Sequence, residues 1–459
     1  MRIGLDFGTT NSSAAIYTGD QVTLLKLDPV NSSPTVMRST LFISREGVPF
    51  IGREAINRFT EGNVGREIEY QWRYIGESEV TLADVGTVMQ SLYAVVDMNT
   101  PGRLFQSLKS HLRDSSFIGT DVFGTRYSLE ALIGVVLRMI TERIEAELGE
   151  PIEGIVIGRP VHYANDPRLD TLAISRMREA ARLAGLPPIV FLPEPTAAAL
   201  AYAATAREQQ HVLVFDFGGG TLDVTVMRID GAGQREVLAT DGVPIGGDLL
   251  DRRVVMGKLT PHFGAGATLG ARRLPLPAVL LEHLSEWQSI VDLTQPKYLE
   301  LIDEAIRNSD RPHELTALRT LVRENYGLPM YEEVERAKVR LSETRQTMIG
   351  MHVPGIDFDE PLERWDFERL IGPDVRAVAA CIDRAVEAAG MTHAEIDVVL
   401  RTGGSSRIPR FVKMLTEKFG AEKLREMDVF TGVASGLAVA ASDDATWEKL
   451  SAEASASSK

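Results

Sequence analysis

Two short segments of this 459-residue chain carry residue types suited to holding phosphate. In the first, Asp6 is followed by Gly8-Thr9-Thr10; in the second, Asp216 is followed by Gly218-Gly219-Gly220-Thr221. Phosphate is gripped by backbone N–H groups that point inward, and only small residues let a chain curl tightly enough to present them. The threonine hydroxyls can add hydrogen bonds, to phosphate oxygens or to waters around a metal. Each aspartate closes an apolar run that reads as a buried strand, where a carboxylate is costly unless something positive compensates it. Magnesium carried with a nucleotide suits such a pair, because Mg2+ takes oxygen ligands and keeps much of its water shell. The structural alternative is that each aspartate caps its own turn through an Asx interaction. For one segment alone that alternative leads; the doubling of the pattern reverses the preference.

The elements that must position these turns repeat as well. Residues 3–16 read IGLDFGTTNSSAAI and residues 212–226 read VLVFDFGGGTLDVTV. Each is an apolar run, a small-residue turn and a second alternating run, which predicts a β-hairpin with a glycine-rich tip. The copies lie 210 residues apart, as expected of two similar lobes facing each other across a cleft. Two further apolar runs, GIVIGRPVHY (154–163) and DVVLRTGGSSRIP (397–409), lead into helical patterns at 169–185 and 408–420 that close on glycine. Strand, small-residue turn and helix make the α/β unit. Between the lobes, EPTAAALAYAATAREQQ (194–210) predicts a helix with Pro195 in its first turn. Residues 249–335 read as a mostly helical insertion, and the polar, small-residue tail 446–459 as disordered.

Composition narrows the class of protein. Lysine plus arginine number 49 against 64 aspartate plus glutamate, a net charge of −15. That balance disfavours nucleic acid and anionic lipid as partners, and no basic run overrides it. The single Cys381 excludes an intrachain disulfide framework and fits a reducing compartment. With no apolar stretch of 18 residues and polar residues early in the chain, a cytoplasmic protein off the membrane is expected. Other signatures fail. Gly257-Lys258 is followed by Leu259 rather than a hydroxyl residue, and the spacing of Gly264, Gly266 and Gly270 is one residue too long for a dinucleotide fingerprint. The eight histidines form no i,i+4 pair on a helical pattern, and the G-x-S-x-G elbow is missing.

Six segments in order, IGLDFGTTNS, FLPEPTAAALAYA, VLVFDFGGGTLDVTV, VPIGGDLLD, EEVERAKVRLS and TGGSSRIP, closely resemble the nucleotide-binding domain of DnaK-type heat-shock chaperones, within the actin-like ATPase superfamily. The resemblance runs from residue 3 to about 440 and is weakest in 40–100 and 250–330. It implies an α/β, two-lobed actin-like ATPase fold of duplicated ribonuclease-H-like lobes with a helical insertion in the second lobe. Lobe I would span 1–198, joined by a C-terminal helix at about 430–445, and lobe II 199–429 with the insertion at about 249–335. ATP or ADP with Mg2+ would be the cofactors, and a protein client or co-chaperone the partner.

The resemblance also implies roles, motif by motif. Asp6 and Asp216 would position the magnesium, largely through its waters. Gly8, Thr9, Thr10, Gly218, Gly219 and Gly220 would cradle the phosphates, with Thr221 close to the γ-phosphate. Glu194 would orient the metal-bound or attacking water, Asp223 would be a second water-orienting carboxylate, and Lys109 would contact the γ-phosphate. Gly247 in VPIGGDLLD joins the nucleotide-binding set; Glu335 and Lys338 would meet the ribose, and Gly403, Gly404, Ser405 and Arg407 would frame the adenosine. Taken singly, several of these residues have ordinary readings: Lys109 as a surface lysine, Glu335 and Lys338 as an i,i+3 pair, Arg407 as the partner of a surface acid.

Departures from the pattern carry information. Val339 follows Lys338 where the family has an arginine that stacks on adenine, and valine offers no planar cation. Phe430 stands where a carboxylate aligns. The chain ends 23 residues after Gly436, so the expectation is an ATPase domain without the family's peptide-binding domain. Its function is expected to be slow ATP hydrolysis with nucleotide-dependent lobe closure. The alternatives are an actin-like filament-forming ATPase and, behind it, a small-molecule kinase on the same core.

Overall fold

The computed structural model describes the chain apart from residues 20, 67, 83–85, 165, 204–208, 231–234, 427–431 and 457–459. Phe430 therefore lies outside the described residues. The chain packs as two compact units: one formed by Met1–Asn57, Leu104–Asp251 and Trp365–Lys459, the other by Arg58–Arg103 and Arg252–Arg364.

The first unit holds two sheets of the same design. In one, β1 (Arg2–Phe7) pairs antiparallel with β2 (Asn11–Tyr17), which pairs antiparallel with β3 (Val22–Leu24). On its other side β1 runs parallel to β4 (Gly154–Arg159), and β4 parallel to β5 (Ile189–Pro193), giving the order β3-β2-β1-β4-β5. The second sheet repeats this with β6 (Gln210–Phe217), β7 (Leu222–Ile229), β8 (Arg235–Val243), β9 (Val398–Thr402) and β10 (Leu424–Glu426), ordered β8-β7-β6-β9-β10 with the same directions. Both glycine-rich hairpins are present, each with its aspartate one residue before the end of a central strand. This is the duplicated ribonuclease-H-like arrangement. All strands of the first sheet precede residue 199, and the 198/199 boundary falls inside the helix Glu194–Ala203.

The central strands are buried on both faces, so their helices follow from covering those faces. Helices α1 (Leu129–Leu148) and α2 (Pro167–Ala184) cover the outer face of the first sheet through Leu132, Ile133, Leu137, Ile140 and Met177. Ser128 caps α1 by accepting from the Ala131 N–H at 3.2 Å, Asp166 caps α2, and Gly149 and Gly185 close them with φ of 73° and 71°. Two helices of small residues, α3 (Glu194–Ala203) and α6 (Gly432–Ser442), share one apolar core with strands of both sheets: Val156, Val190, Val212, Val214, Val398 and Leu400. Their backbones cross at Gly436, where a Cβ would fall on the Ala197 carbonyl, so only glycine permits this approach. Helices α4 (Gly372–Ala388) and α5 (Pro409–Phe419) complete the second half.

Residues 446–456 correct the expectation of a disordered tail: they are helical, in α7 (Asp444–Ala456). Asp443 accepts from the Thr446 N–H at 3.0 Å, capping the first turn. Trp447 then docks against Gly154 and the guanidinium of Arg2, 5.2 Å from the ring centroid, while Arg2 pairs with Asp444. One aromatic anchor outweighs the low-complexity composition around it.

In the second unit, residues 252–323 are mainly short helical turns followed by helices Pro296–Asn308 and Pro312–Arg323, the helical character expected of the insertion. Leu315, Leu318, Leu321 and Val322 form the buried stripe of the latter, at i, i+3, i+6 and i+7. The helix Gly327–Glu343 leads to a hairpin of Gln346–Val353 with Ile356–Glu363. Among the described residues, no helix is long and apolar enough to cross a membrane.

Candidate functional site

The two glycine-rich tips meet within the first unit. A Cβ placed on Gly219 would strike the Thr10 side chain, and one on Gly220 would lie 3.4 Å from Thr9 Cγ2. The second tip is wired to its surroundings through its carbonyls. Gly218 O accepts from Gly247 N at 3.1 Å and from Ser405 Oγ at 2.9 Å, and Gly219 O accepts from Asp248 N at 2.9 Å. Gly403, at φ 78°, passes so close to Phe217 O and Gly218 N that no side chain fits there. The Gly218 N–H closes the turn on the Thr221 carbonyl at 3.1 Å, so the N–H groups of Gly219 and Gly220 are the ones that could form an anion nest.

Around these tips stand four carboxylates and one ammonium. Lys109 is carried by a short 3-10 segment, Leu108–Arg113, and is only 8% exposed. Its Nζ donates to Glu194 Oε1 at 2.7 Å. Glu194 opens α3, and Asp216 sits directly across the hairpin from Asp223. Thr221 Oγ1 donates to Asp223 Oδ2 at 3.1 Å. Asp6 and Asp216 accept no hydrogen bond from their own turns among the described residues. The Asx-capping alternative is therefore not what the turns adopt.

The crowding shows in the acidities. Desolvation, reinforced by Glu194 and only partly offset by Lys109, pushes Asp6 up to about 7. Desolvation and the charges of Glu194, Asp223 and Asp6 hold Asp216 well above the usual carboxylate range. Asp223 rises to about 6 through desolvation and Glu194, against the Thr221 hydrogen bond and Lys109. Burial by itself would lower the Lys109 ammonium, but Glu194, Tyr163 and Asp6 outweigh it, and the net shift is upward. Four acids against one lysine make a site short of positive charge.

Two observations test whether a magnesium-bound nucleotide suits these residues. Thr10 Oγ1 is buried with no hydrogen-bond partner, directly against Gly219. The carboxylates are held ready for a cation yet spread out: among the described residues, no three His, Cys, Asp or Glu side chains converge as a direct metal cage. An ion held through its waters, with phosphate oxygens completing its shell, fits both.

The remaining residues that the motifs single out have these surroundings. Arg407 pairs with Glu426, Nε to Oε1 2.7 Å, and Arg401 reaches the same carboxylate at 3.2 Å. Gly404 begins the turn that carries Ser405, whose hydroxyl donates to the Gly218 carbonyl. Glu335 and Lys338 lie on the helix Gly327–Glu343 of the second unit, where Val339 is 61% exposed.

Two supports of Lys109 have no counterpart among the motifs. The guanidinium of Arg176 collects the carbonyls of His111, Leu112, Asp114 and Phe117, at 3.2, 3.2, 2.8 and 3.0 Å, and pairs with Glu130 at 3.1 Å. It thereby fixes the end of the segment that carries the lysine. Arg113, on that segment, donates to the Tyr163 carbonyl at 3.2 Å. Neither residue belongs to a local pattern, so no sequence signal marks them.

Comparison with known proteins agrees with this geometry. The family model described as Hsp70 protein matches residues 2–266 and 324–443. The chain is similar to Chaperone protein DnaK of Thermus thermophilus, 30% identical over 448 residues, covering 96% of this chain and 60% of the relative. It is similar to Heat shock 70 kDa protein BIP3 of Oryza sativa subsp. japonica, 32% identical over 427 residues, covering 92% and 53% respectively. Chaperone protein dnaK3 of Synechococcus elongatus is 28% identical over 447 residues, covering 96% and 49%. The chain thus spans between about half and 60% of the length of these relatives.

Proposed function

From the premise that this chain belongs to the Hsp70 family, we propose that it binds ATP with Mg2+ between the two glycine-rich turns and hydrolyses it slowly. The observation that carries the reading is the meeting of the two tips, with a buried unpartnered Thr10 hydroxyl beside a group of four acids and one lysine. The turns Gly8–Thr10 and Gly218–Gly220 hold the phosphates, the second through the Gly219 and Gly220 N–H groups, while the Gly218 N–H closes the turn on the Thr221 carbonyl. Asp6 and Asp216 fix the water shell of the magnesium, which supplies positive charge to the phosphate oxygens when bound. Lys109 lies against the terminal phosphate, kept charged by Glu194. Glu194 and Asp223 orient the attacking water, and Thr221 holds Asp223 in place. Gly247, Gly403, Gly404 and Ser405 brace the second turn, Glu335 and Lys338 contact the ribose, and Arg407 borders the adenosine. Catalysis proceeds by positioning and charge neutralisation, without a covalent intermediate.

ATP binding closes the two lobes and product release reopens them, a motion read by a client or co-chaperone protein. Family membership favours this over a filament former or a small-molecule kinase. Titration calorimetry with Mg-ATP tests the proposal: a single saturable site is expected, and no heat of binding at millimolar nucleotide overturns it. Asp6→Ala and Asp216→Ala lower single-turnover hydrolysis by orders of magnitude; equal rates would remove the site from the reaction.

A further inference from the structure

Lys109 sits on a segment that is bent on entry and clamped on exit. Ser107, two residues before it, has φ 53° and ψ 31°, a left-handed conformation that a non-glycine residue rarely takes. Such a residue persists where its surroundings over-determine it. Leu108 and Leu112 anchor the segment in the core of the first sheet, and Ser110 Oγ returns to the Ser107 carbonyl at 2.6 Å. The carbonyls at its far end converge on one distant side chain. Arg176, on α2, gathers four of them between His111 and Phe117, and its Nε lies 3.1 Å from Glu130 Oε1 in the first turn of α1. The guanidinium and this carboxylate are only 11% and 18% exposed. A planar fork engaged on all sides is fixed in a way that the single point charge of a lysine would not be. Arg176 thereby joins α1, α2 and the lysine segment at one point.

We propose that Arg176, held by Glu130, is a positioning residue of the ATPase site and sets where the Lys109 ammonium stands against the terminal phosphate. The inference rests on the ATPase reading above and deepens it. Arg176 acts through the backbone of the segment: with the clamp gone, the strained turn at Ser107 is free to relax, and the lysine that follows it moves as well. A shift of about 1 Å in a group aligned with the reacting atoms costs up to about 100-fold in rate. ADP lacks the terminal phosphate, so its binding should not register the displaced lysine.

The test is a double-mutant cycle in the full chain: Arg176→Met, Lys109→Met and the pair. Single-turnover hydrolysis, calorimetric affinity for Mg-ADP and Tm are measured for each. Arg176→Met should slow hydrolysis about 10- to 100-fold, while Mg-ADP affinity stays within about threefold. In the Lys109→Met background the same substitution should cost less than about twofold, because the group it positions is gone. Glu130→Gln repeats the cycle in milder form, with a loss of about threefold that vanishes in Lys109→Met, and it decides the matter where Arg176→Met does not fold. Equal losses in both backgrounds, or parallel losses of ADP affinity and rate, make Arg176 a brace of the fold alone and overturn the assignment. Wild-type protein that neither binds nor turns over Mg-ATP overturns the ATPase reading itself, whereas wild-type turnover left unchanged by Arg176→Met refutes the role of Arg176 alone.

Discussion

Replacing Asp6 by asparagine in metal-free protein removes one carboxylate from a group in which Glu194 repels it and Lys109 only partly compensates. Its carboxyl moves from 3.8 to about 7 on folding, so the native state holds this proton more tightly than the unfolded chain. The associated stability is fully present below pH 3.8 and is lost as pH rises to about 7. Integrating the linkage gives a loss of roughly 4 kcal/mol at pH 8 and roughly 2 kcal/mol at pH 5. Asparagine has no proton to lose, so the advantage of Asp6→Asn over the wild type should grow by roughly 2–3 kcal/mol between pH 5 and pH 8 and then level off. At about 2.1 cal/mol/K per residue, a chain of this length unfolds with roughly 1 kcal/mol/K, so the difference in Tm should widen by about 2–3 °C. Differential scanning calorimetry in EDTA buffers measures it. A difference in Tm that is equal at the two pH values, or that shrinks at pH 8, refutes the reasoning that this carboxylate is held against its charge.

Lys109→Met should destabilise the protein by about 3 kcal/mol, because Glu194 is left buried without its cation, and adding Glu194→Gln should restore most of the loss in urea unfolding. Gly436→Ala should cost about 2 kcal/mol or more, since the added methyl meets the Ala197 backbone, which cannot yield as a side chain would. Because Val339 offers no stacking cation, GTP should compete well against ATP; Val339→Arg should widen the preference for ATP about three- to tenfold in competition binding.

The two glycine-rich hairpins were legible because their determinants are local. A strand ending in Asp-Phe-Gly and a run of small residues specify a hairpin tip wherever they occur, and their duplication pointed to two sheets of one design. The helical character of α3 was legible in its alanine-rich run, but its crossing with α6 depends on Gly436 meeting Ala197 from far along the chain. What escaped is what depends on distant partners. Arg176 braces the segment that carries Lys109 from 59 to 65 residues away, and the Tyr163 carbonyl meets Arg113 of that segment across 50, with nothing in their neighbours to show it. Arg407 is held by Glu426, which only the β9–β10 pairing brings near. The tail looked featureless because a single residue, Trp447, supplies its anchor. The packing of residues 58–103 with 252–364 joins segments separated by about 150 residues, beyond the reach of any local pattern.

The Gly218 carbonyl accepts two hydrogen bonds, from the start of the helix Gly247–Val254 and from the loop that precedes α5. That one peptide is consequently a junction box. Whatever turns its N–H edge toward a bound anion also rotates its oxygen, and both lines leaving the oxygen are pulled at once. One line leads to the first residue of the helix Gly247–Val254; the other leads to the turn Gly404–Arg407 ahead of α5. Removing one of the two bonds, as Ser405→Ala would, should leave the peptide moored through Gly247 alone.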